Sequence, residues 1–161
     1  MNASPSSKRE SINYSQLGYL RVAASTPSLV IGDATANAQS ILQQANDLAA
    51  QGVALAVFPE LCLTGYSAED LFFSETLLSN TEKALQQLCA CKLPLLLVGA
   101  PWRLSDGRLV NCAVAIGNQR ILGMVPKTFL PNYSEYYEQR WFASGTHVNE
   151  TEVNTNLGTF H

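Results

Sequence analysis

The sequence predicts a layered α/β domain. Segments with strand and helix patterns alternate along the chain, and the last of them form a β-hairpin. Apolar residues make up 47% of the 161 residues and charged residues only 14%, which indicates many segments buried on both sides. Two ionisable residues, Glu60 and Lys127, each follow a proline at the end of an apolar run. Strand ends are where open α/β sheets form their ligand sites.

The first half of the chain predicts a strand, a helix and a second strand. Residues 1–16 are polar and predict a disordered leader, and residues 19–25 (YLRVAAS) predict the first strand. Asp33 predicts a helix N-cap, because its side-chain oxygen accepts from free backbone amides, and Gly52 predicts the end of that helix. Residues 53–58 (VALAVF) predict a buried central strand. The helix carries one apolar stripe: Ala34, Ala38, Ile41, Leu42, Ala45, Leu48 and Ala49.

The second half predicts a helix, a strand and a hairpin. Residues 95–100 (LLLVGA) predict a strand, and residues 110–116 (VNCAVAI) and 120–125 (RILGMV) predict the two arms of a hairpin. The intervening GNQ places Gly117–Asn118 in the predicted turn. A second helix is predicted over residues 74–91, with an apolar face of Leu77, Leu78, Leu85 and Leu88.

Composition excludes several classes of function. The net charge of -3 predicts no nucleic-acid partner, and no apolar run reaches the ~20 residues of a membrane helix. The start of the chain lacks the apolar region of a secretory signal, and the four cysteines show no CxxC spacing. These features predict free thiols in a cytoplasmic protein that binds no membrane.

Glu60 and Lys127 are the candidate catalytic pair. A carboxylate and an ammonium at neighbouring strand ends can meet although they are distant in sequence. Burial raises the pKa of a glutamate and a nearby lysine lowers it, a balance that can poise a general base. A buried structural ion pair is the alternative interpretation, because structural pairs perturb pKa values too.

Five stretches of the chain, in order, resemble the nitrilase (carbon–nitrogen hydrolase) superfamily. They are LRVAASTPSLVIGDATANAQSIL, LAVFPELCLTGYSAEDLF, VGAPW, NCAVAI and GMVPKTFLPNYSEYYEQRWF, which together span about residues 17–148. Within the superfamily, GYSAEDLF and KTFLPNYSEYYEQR are most similar to the glutaminase domain of glutamine-dependent NAD+ synthetases. The resemblance implies an α-β-β-α sandwich, of which residues 17–161 would form an N-terminal part that is incomplete at the C-terminus.

The resemblance also implies a Glu-Lys-Cys triad. Glu60 would be the general base that takes the proton of a cysteine thiol, and Lys127 would stabilise the tetrahedral oxyanion. Tyr133 matches a position that lines the glutamine pocket. Glu135 matches a second glutamate near the triad, with Glu138 as the alternative for that assignment. A structural role at the pocket edge is the other interpretation of these residues.

The nucleophile is where the chain departs from the family pattern. The family places it in a CED-type motif on a later strand, and this sequence has no such motif. Cys62 lies two residues from Glu60, but it is interpreted, like Cys89, Cys91 and Cys112, as a packing thiol. We therefore expect the chain to be an N-terminal fragment that is inactive alone.

Partners and cofactors follow from the same resemblance. The substrate would be L-glutamine, this domain would need no cofactor, and ATP and Mg would bind a C-terminal synthetase domain of the same polypeptide, in a homo-oligomer. His147 and His161 have no metal-ligand spacing. Glu69 and Asp70 could contact a partner or cap a helix, and capping is the preferred interpretation. A stand-alone amidase, such as an omega-amidase or carbamoylase, and a non-catalytic binding or assembly module remain the alternatives.

Overall fold

Five strands and two helices form the main body of the protein. A computed structural model describes residues 14–149, 152–155 and 158–160. The sheet has the order β1-β2-β3-β4-β5, and a separate ribbon pairs β6 with β7. The strands are β1 (Val22–Ala24), β2 (Leu55–Val57), β3 (Leu95–Arg103), β4 (Leu109–Gly117), β5 (Arg120–Pro126), β6 (Val153–Thr155) and β7 (Gly158–Phe160). The helices are α1 (Ala34–Ala50) and α2 (Glu75–Leu88), and shorter 3-10 segments cover Tyr14–Leu17, Tyr66–Phe73, Glu138–Arg140 and Gly145–His147.

Strand direction brings several carboxyl ends to one edge of the sheet. Helices α1 and α2 are the crossovers from β1 to β2 and from β2 to β3, so these three strands are parallel. Strand β4 runs antiparallel to both β3 and β5, which makes β5 parallel to β2. The carboxyl ends of β2, β3 and β5 therefore share one edge, which we call the site edge.

The predicted helices are confirmed, with their caps. The Asp33 carboxylate accepts from the Ala36 amide at 3.0 Å at the start of α1, and Gly52, at φ +77°, follows its end. Ser74 caps α2, which ends at Leu88, three residues before the predicted end. The predicted apolar stripe of α1 packs in the main core, as do Leu85 and Leu88 of α2. Leu77 and Leu78 pack in a second hydrophobic cluster.

The two faces of the sheet differ in burial. Ala56, Leu96, Val114 and Ile116 face α1 and α2 and are fully buried in the core. The opposite face is apolar but uncovered by the described residues, and its Val125 is 69% exposed. The described part thus consists of one helical layer on one five-stranded sheet.

Strand lengths and the hairpin turn differ from the prediction. The first two strands are shorter than predicted, while β3 extends to Arg103 because it pairs with β4 from Leu96 to Arg103. Asn118 and Gln119, at φ +52° and +60°, occupy the centre of the turn, and Gly117 pairs with Arg120 instead.

The ends of the chain were only partly anticipated. Most of the predicted leader lies outside the described residues, and its last three residues belong to the 3-10 segment Tyr14–Leu17. Near the other end, Val153–Thr155 pairs with Gly158–Phe160 as the β6–β7 ribbon, which no sequence pattern predicted. Within the described residues, neither long helix has the length and apolar character needed to cross a bilayer.

Candidate active site

Glu60 reaches the site edge through a turn that crosses over β3. Strand β2 ends at Val57, and Pro59, which has no backbone N–H, ends the pairing. The turn then packs on Gly99 of β3, where a Cβ would lie 2.3 Å from the Leu61 nitrogen and 2.8 Å from the Glu60 Cα. Only glycine permits this approach, which carries Glu60 across β3 towards β4.

Lys127 directly follows β5, and its backbone is fixed by hydrogen bonds on both sides. Its amide donates to the Asn111 carbonyl at 2.7 Å, and its carbonyl accepts from the Gly145 amide at 2.8 Å. A Cβ on Gly145 would lie 2.7 Å from the Pro126 carbonyl oxygen. The backbone of Lys127 is therefore held between β4 and the Gly145–His147 segment.

The two predicted residues meet. Lys127 Nζ donates to Glu60 Oε1 at 2.8 Å, across 67 residues of sequence. The buried Asn111 side chain donates to the same oxygen at 2.5 Å. The strands that carry Glu60 and Lys127 are not neighbours, since β3 and β4 lie between them, and the Glu60 turn over Gly99 closes that gap.

A second carboxylate, Glu138, contacts Lys127 from the other side. Lys127 Nζ donates to Glu138 Oε1 at 2.9 Å, and the Tyr66 hydroxyl donates to the same oxygen at 2.6 Å. Glu138 is 1% exposed, and its Oε2 is buried with no hydrogen-bond partner among the described residues. One ammonium thus lies between two carboxylates, so the cluster carries a net negative charge when all three groups are ionised.

These contacts perturb two pKa values. Burial lowers the pKa of Lys127, but its hydrogen bonds to Glu60 and Glu138 outweigh burial and raise it above its ordinary value. Burial, and then the hydrogen bond to the Glu138 carboxylate, raise the pKa of Tyr66. Lys127 is therefore an ammonium and Tyr66 a neutral hydrogen-bond donor at neutral pH.

Among the described residues, neither Tyr133 nor Glu135 is a hydrogen-bond partner of Lys127. Tyr133 is 68% exposed, with its ring 5.9 Å from that of Tyr136. Glu135 is exposed and lines a smaller recess together with Tyr66 and Glu69. Their roles in substrate binding stay predictions, whereas the contact with Lys127 belongs to Glu138, the alternative to Glu135.

A cavity of about 500 Å³ opens beside Glu60 and Lys127. Its polar side chains, Glu60, Asn111 and Lys127 among them, lie at the site edge, and its other walls come mostly from the uncovered face of the sheet. A largely apolar cavity with a few convergent polar groups is typical of a small-molecule site. Its lining includes Val57, Phe58, Leu97, Val98, Gly99, Ala113, Val125 and Pro126.

The cysteines have the properties of packing thiols. Burial raises the pKa of Cys62 to about 11 and that of Cys112 to about 12. Cys112 borders the cavity but is 3% exposed, and the Cys62 thiol donates to the Gly99 carbonyl at 3.6 Å. Burial also raises the pKa of Cys89 and Cys91. A neutral, buried thiol is a poor nucleophile.

Three contributors to the site escaped the sequence analysis. Asn111, Tyr66 and Gly99 lay in motifs that were noted without a role being given to them. Asn111 carried the clearest signal, because a buried strand tolerates a polar amide only when that amide has a partner.

Asp70 caps no helix, since Ser74 caps α2 and Asp70 instead binds Arg140 and Trp141. Within the described residues, no group of three histidine, cysteine or acidic side chains is placed to hold a metal ion.

Comparison with protein families and curated proteins gives consistent matches. The model of the carbon-nitrogen hydrolase family matches residues 21–160. A glutamine-dependent NAD(+) synthetase of Mycobacterium tuberculosis is 49% identical over 133 residues, which cover 81% of this chain and 19% of the relative. The corresponding protein of Acinetobacter baylyi is 37% identical over 71% of this chain and 21% of its own length. The chain thus spans about a fifth of the length of these relatives.

Solved structures show the same fold. A glutamine-dependent NAD(+) synthetase from Cytophaga hutchinsonii superimposes with a TM-score of 0.81 at 27% identity, covering 88% of this chain and 24% of that one. The Acinetobacter baumannii enzyme, solved with adenosine diphosphate, gives 0.71 at 31% identity over 82% of this chain and 25% of that one. An amidase from Nesterenkonia matches at 16% identity with a TM-score of 0.67, over 88% of this chain and 55% of its own, a likeness of fold alone. The expected nitrilase-superfamily fold is confirmed.

Proposed function

Because this chain belongs to the carbon–nitrogen hydrolase family, we propose that it forms part of a glutaminase domain that hydrolyses the side-chain amide of L-glutamine. The contact between Lys127 Nζ and Glu60 Oε1, 2.8 Å long at the mouth of the cavity, carries the proposal. The identity to glutamine-dependent NAD(+) synthetases supports the choice of glutamine as substrate.

Glu60 acts as the general base. Its carboxylate is 41% exposed at the cavity mouth, so an incoming thiol can reach it, while Asn111 and Lys127 both bind Oε1 and orient the group. Both contacts are made to the same oxygen, so they fix the direction of the carboxylate beside the cavity. Transfer of the thiol proton to Glu60 leaves a thiolate, which attacks the amide carbon of glutamine.

Lys127 stabilises the charge that develops during this attack. When the thiolate adds to the amide carbon, the carbonyl oxygen becomes an oxyanion, and a fixed ammonium beside it lowers the barrier. Glu60 then returns its proton to the leaving nitrogen, ammonia departs, and water hydrolyses the resulting thioester to glutamate.

The nucleophile comes from a segment outside residues 1–161. The four thiols of the chain have pKa values raised by burial, and none of them is a hydrogen-bond partner of Glu60. A cysteine from such a segment would have to approach over the uncovered sheet face, where the cavity opens. On this proposal the isolated chain lacks the nucleophile, so it forms no thioester and hydrolyses no glutamine.

Glu138 and Tyr66 hold Lys127 in place. The buried Glu138 carboxylate accepts a second hydrogen bond from the ammonium that already binds Glu60, and the Tyr66 hydroxyl orients the Glu138 carboxylate. An ammonium shared between two carboxylates keeps one donor hydrogen for a third acceptor, such as the oxyanion. Tyr133 and Glu135 are proposed to contact glutamine at the outer rim.

The complete protein would use the ammonia for the synthesis of NAD+. We assign ATP, Mg and the deamidated dinucleotide to a synthetase domain of the same polypeptide, outside these residues, in a cytoplasmic homo-oligomer. The names of the relatives, and the fact that this chain spans only about a fifth of their length, support the assignment of a synthetase domain.

Paired variants of the complete protein test the proposal. Glu60→Gln keeps the shape of the side chain but removes the base, and we expect glutamine-dependent glutamate release to fall by ~10²–10⁴-fold. Lys127→Met should cost about 10²–10³-fold, and the double variant should fall well short of the product because both residues act on one step. Glu75→Gln, in an exposed ion pair on α2, is the matched control and should keep full activity.

Product formation driven by added ammonia provides the internal reference. It bypasses glutamine hydrolysis and should survive in every variant. A Glu60→Gln protein that lost the glutamine-driven and ammonia-driven reactions equally would identify Glu60 as structural and contradict the proposal. Glutamate release without any ATP-dependent synthesis would identify a stand-alone amidase instead.

A further inference from the structure

Asp70 joins two segments of the chain that meet at Glu138. Its Oδ1 accepts from Arg140 Nε at 2.8 Å and from Trp141 Nε1 at 3.0 Å, and its Oδ2 accepts from Arg140 Nη2 at 2.7 Å. Arg140 and Trp141 follow Glu138 within one turn, and the Trp141 amide donates to the Glu138 carbonyl at 3.0 Å. One surface carboxylate therefore anchors the turn that carries Glu138.

The segment that carries Asp70 also contacts the Glu138 side chain directly. Asp70 belongs to the Tyr66–Phe73 segment, whose first residue, Tyr66, donates its hydroxyl proton to Glu138 Oε1 at 2.6 Å. Phe72 of the same segment also packs beside the turn, with its ring 5.6 Å from the ring of Trp141. The segment thus contacts the Glu138 turn through three side chains, those of Tyr66, Asp70 and Phe72.

The form of the Asp70 contact indicates positioning more than stabilisation. Asp70 and Arg140 are more than half exposed, and exposed ion pairs contribute little to stability. A bidentate arginine contact with an added indole N–H, however, fixes both direction and distance. Glu69, directly before Asp70, adopts φ +51° and ψ −130°, a strained conformation that persists only where the surrounding structure holds it.

We propose that Asp70 is a positioning residue that acts through Arg140 and Trp141 to hold the Glu138 carboxylate against Lys127. The inference rests on the proposed amidohydrolase function. If the Glu138 turn moves outward, Lys127 loses one of its two carboxylate partners and pairs with Glu60 alone. In that arrangement the Lys127 ammonium hinders proton transfer from the thiol to Glu60. It also lies too far from the oxyanion to stabilise it. The contact with Arg140 lowers the pKa of Asp70 to about 2, so the carboxylate is ionised at any pH at which the enzyme would work.

A double-mutant cycle in the complete protein tests the inference. Asp70→Asn keeps the shape but removes the charge and the bidentate contact, and we expect kcat for glutamate release to fall by roughly 10- to 100-fold, the range for a catalytic group displaced by about 1 Å. The KM for glutamine and the melting temperature should change little. In a Glu138→Gln background, Asp70→Asn should have little further effect, because the residue it acts through is already impaired.

Two further variants separate positioning from general damage. Asp106→Asn breaks a comparable exposed pair, with Arg108 in the same turn, and should leave kcat unchanged. Asp70→Glu keeps the charge and should recover much of the lost kcat, including where Asp70→Asn also lowers the melting temperature.

Each contrary outcome has a distinct meaning. Equal losses from Asp70→Asn in both backgrounds, or a loss that Asp70→Glu does not relieve, would assign Asp70 a structural role and overturn the inference. An active Asp70→Asn protein would overturn it as well, while leaving the proposed function intact. A wild-type protein that releases no glutamate would overturn the proposed function, and the inference with it.

Discussion

Two glycines decide where the candidate catalytic residues lie. Gly99 lets the Glu60 turn touch the backbone of β3, and Gly145 lets its own segment touch the backbone around Lys127. At both positions an added Cβ would come within 2.8 Å of main-chain atoms, which cannot move aside as a side chain can. The absence of a side chain is thus as important to the site as the carboxylate and the ammonium.

Gly99→Ala should separate Glu60 from Lys127. The added methyl would lie 2.3 Å from the Leu61 nitrogen, so the turn must lift off the sheet. We expect glutamine-dependent kcat of the complete protein to fall by up to ~10²-fold, the cost of a displacement of about 1 Å. The accompanying loss of stability should be about 1–3 kcal/mol, as for other overpacked sites.

Gly107→Ala is the matched control for this prediction. An added methyl there meets no atom within 4 Å, while the φ of +88° strains any residue other than glycine. The control should therefore lose stability but keep its kcat. Equal kcat values for the two variants, measured by steady-state glutamate release, would show that the close approach at Gly99 does not position Glu60.

The turn of the β4–β5 hairpin contains one residue, Gln119, that is poorly suited to its backbone conformation. Asn118 and Gln119 both have positive φ, the pattern of the tight turn that matches the twist of a hairpin. Asparagine tolerates this region, whereas glutamine does not favour it. Since β5 leads directly into Lys127, the stability of this turn affects the site.

Gln119→Gly should stabilise the hairpin. Removing the Cβ relieves about 1–2 kcal/mol of left-handed strain, and the extra freedom of glycine in the unfolded chain returns about 0.4–1 kcal/mol of that gain. We expect a net increase of about 0.5–1 kcal/mol in the free energy of unfolding, measured by urea titration.

The same replacement inside a helix should have the opposite sign. Gln86→Gly, at an exposed position of α2, should cost about 1 kcal/mol because glycine is a poor helix former. A destabilised Gln119→Gly protein would mean that the Gln119 side chain makes a contribution larger than its backbone strain.

The molecule as a whole has one covered and one uncovered sheet face. Helices α1 and α2 bury one side, while Val57 and Val125 on the other side are 41% and 69% exposed. Contiguous apolar surface of this kind marks an interface or an aggregation site. The cavity beside Glu60 opens on this same face.

The isolated 161-residue chain should therefore be poorly stable and should self-associate. Exposed apolar sheet surface drives association in water, and the outer edge of β1, the first strand in the sheet order, offers a further pairing site among the described residues. We expect sedimentation velocity to show oligomers and thermal scans to show a broad transition. The same preparation should release no glutamate. A monomer with a cooperative transition, or measurable glutamate release, would contradict this expectation.

Local pattern alone determines much of this protein. The cap at Asp33 and the stripe that ends at Gly52 define α1, because a helix depends on hydrogen bonds and contacts within a few residues. Apolar runs that end in proline locate the ends of β2 and β5, and so Glu60 and Lys127, without knowledge of the fold. Strand direction places both residues at one edge of the sheet, but their contact also requires the Glu60 turn that crosses β3 at Gly99.

Tertiary structure alone decides which other residues join the pair. Glu135 and Glu138 lie in the same irregular stretch, and no periodicity distinguishes them. Glu138 is selected because the Tyr66 hydroxyl, 72 residues earlier, meets it at 2.6 Å. The roles of Asn111 and Gly99 likewise depend on which turn crosses which strand. Such contacts join segments far apart in the chain, so their geometry is set by the packing of the whole sheet and is absent from any local pattern.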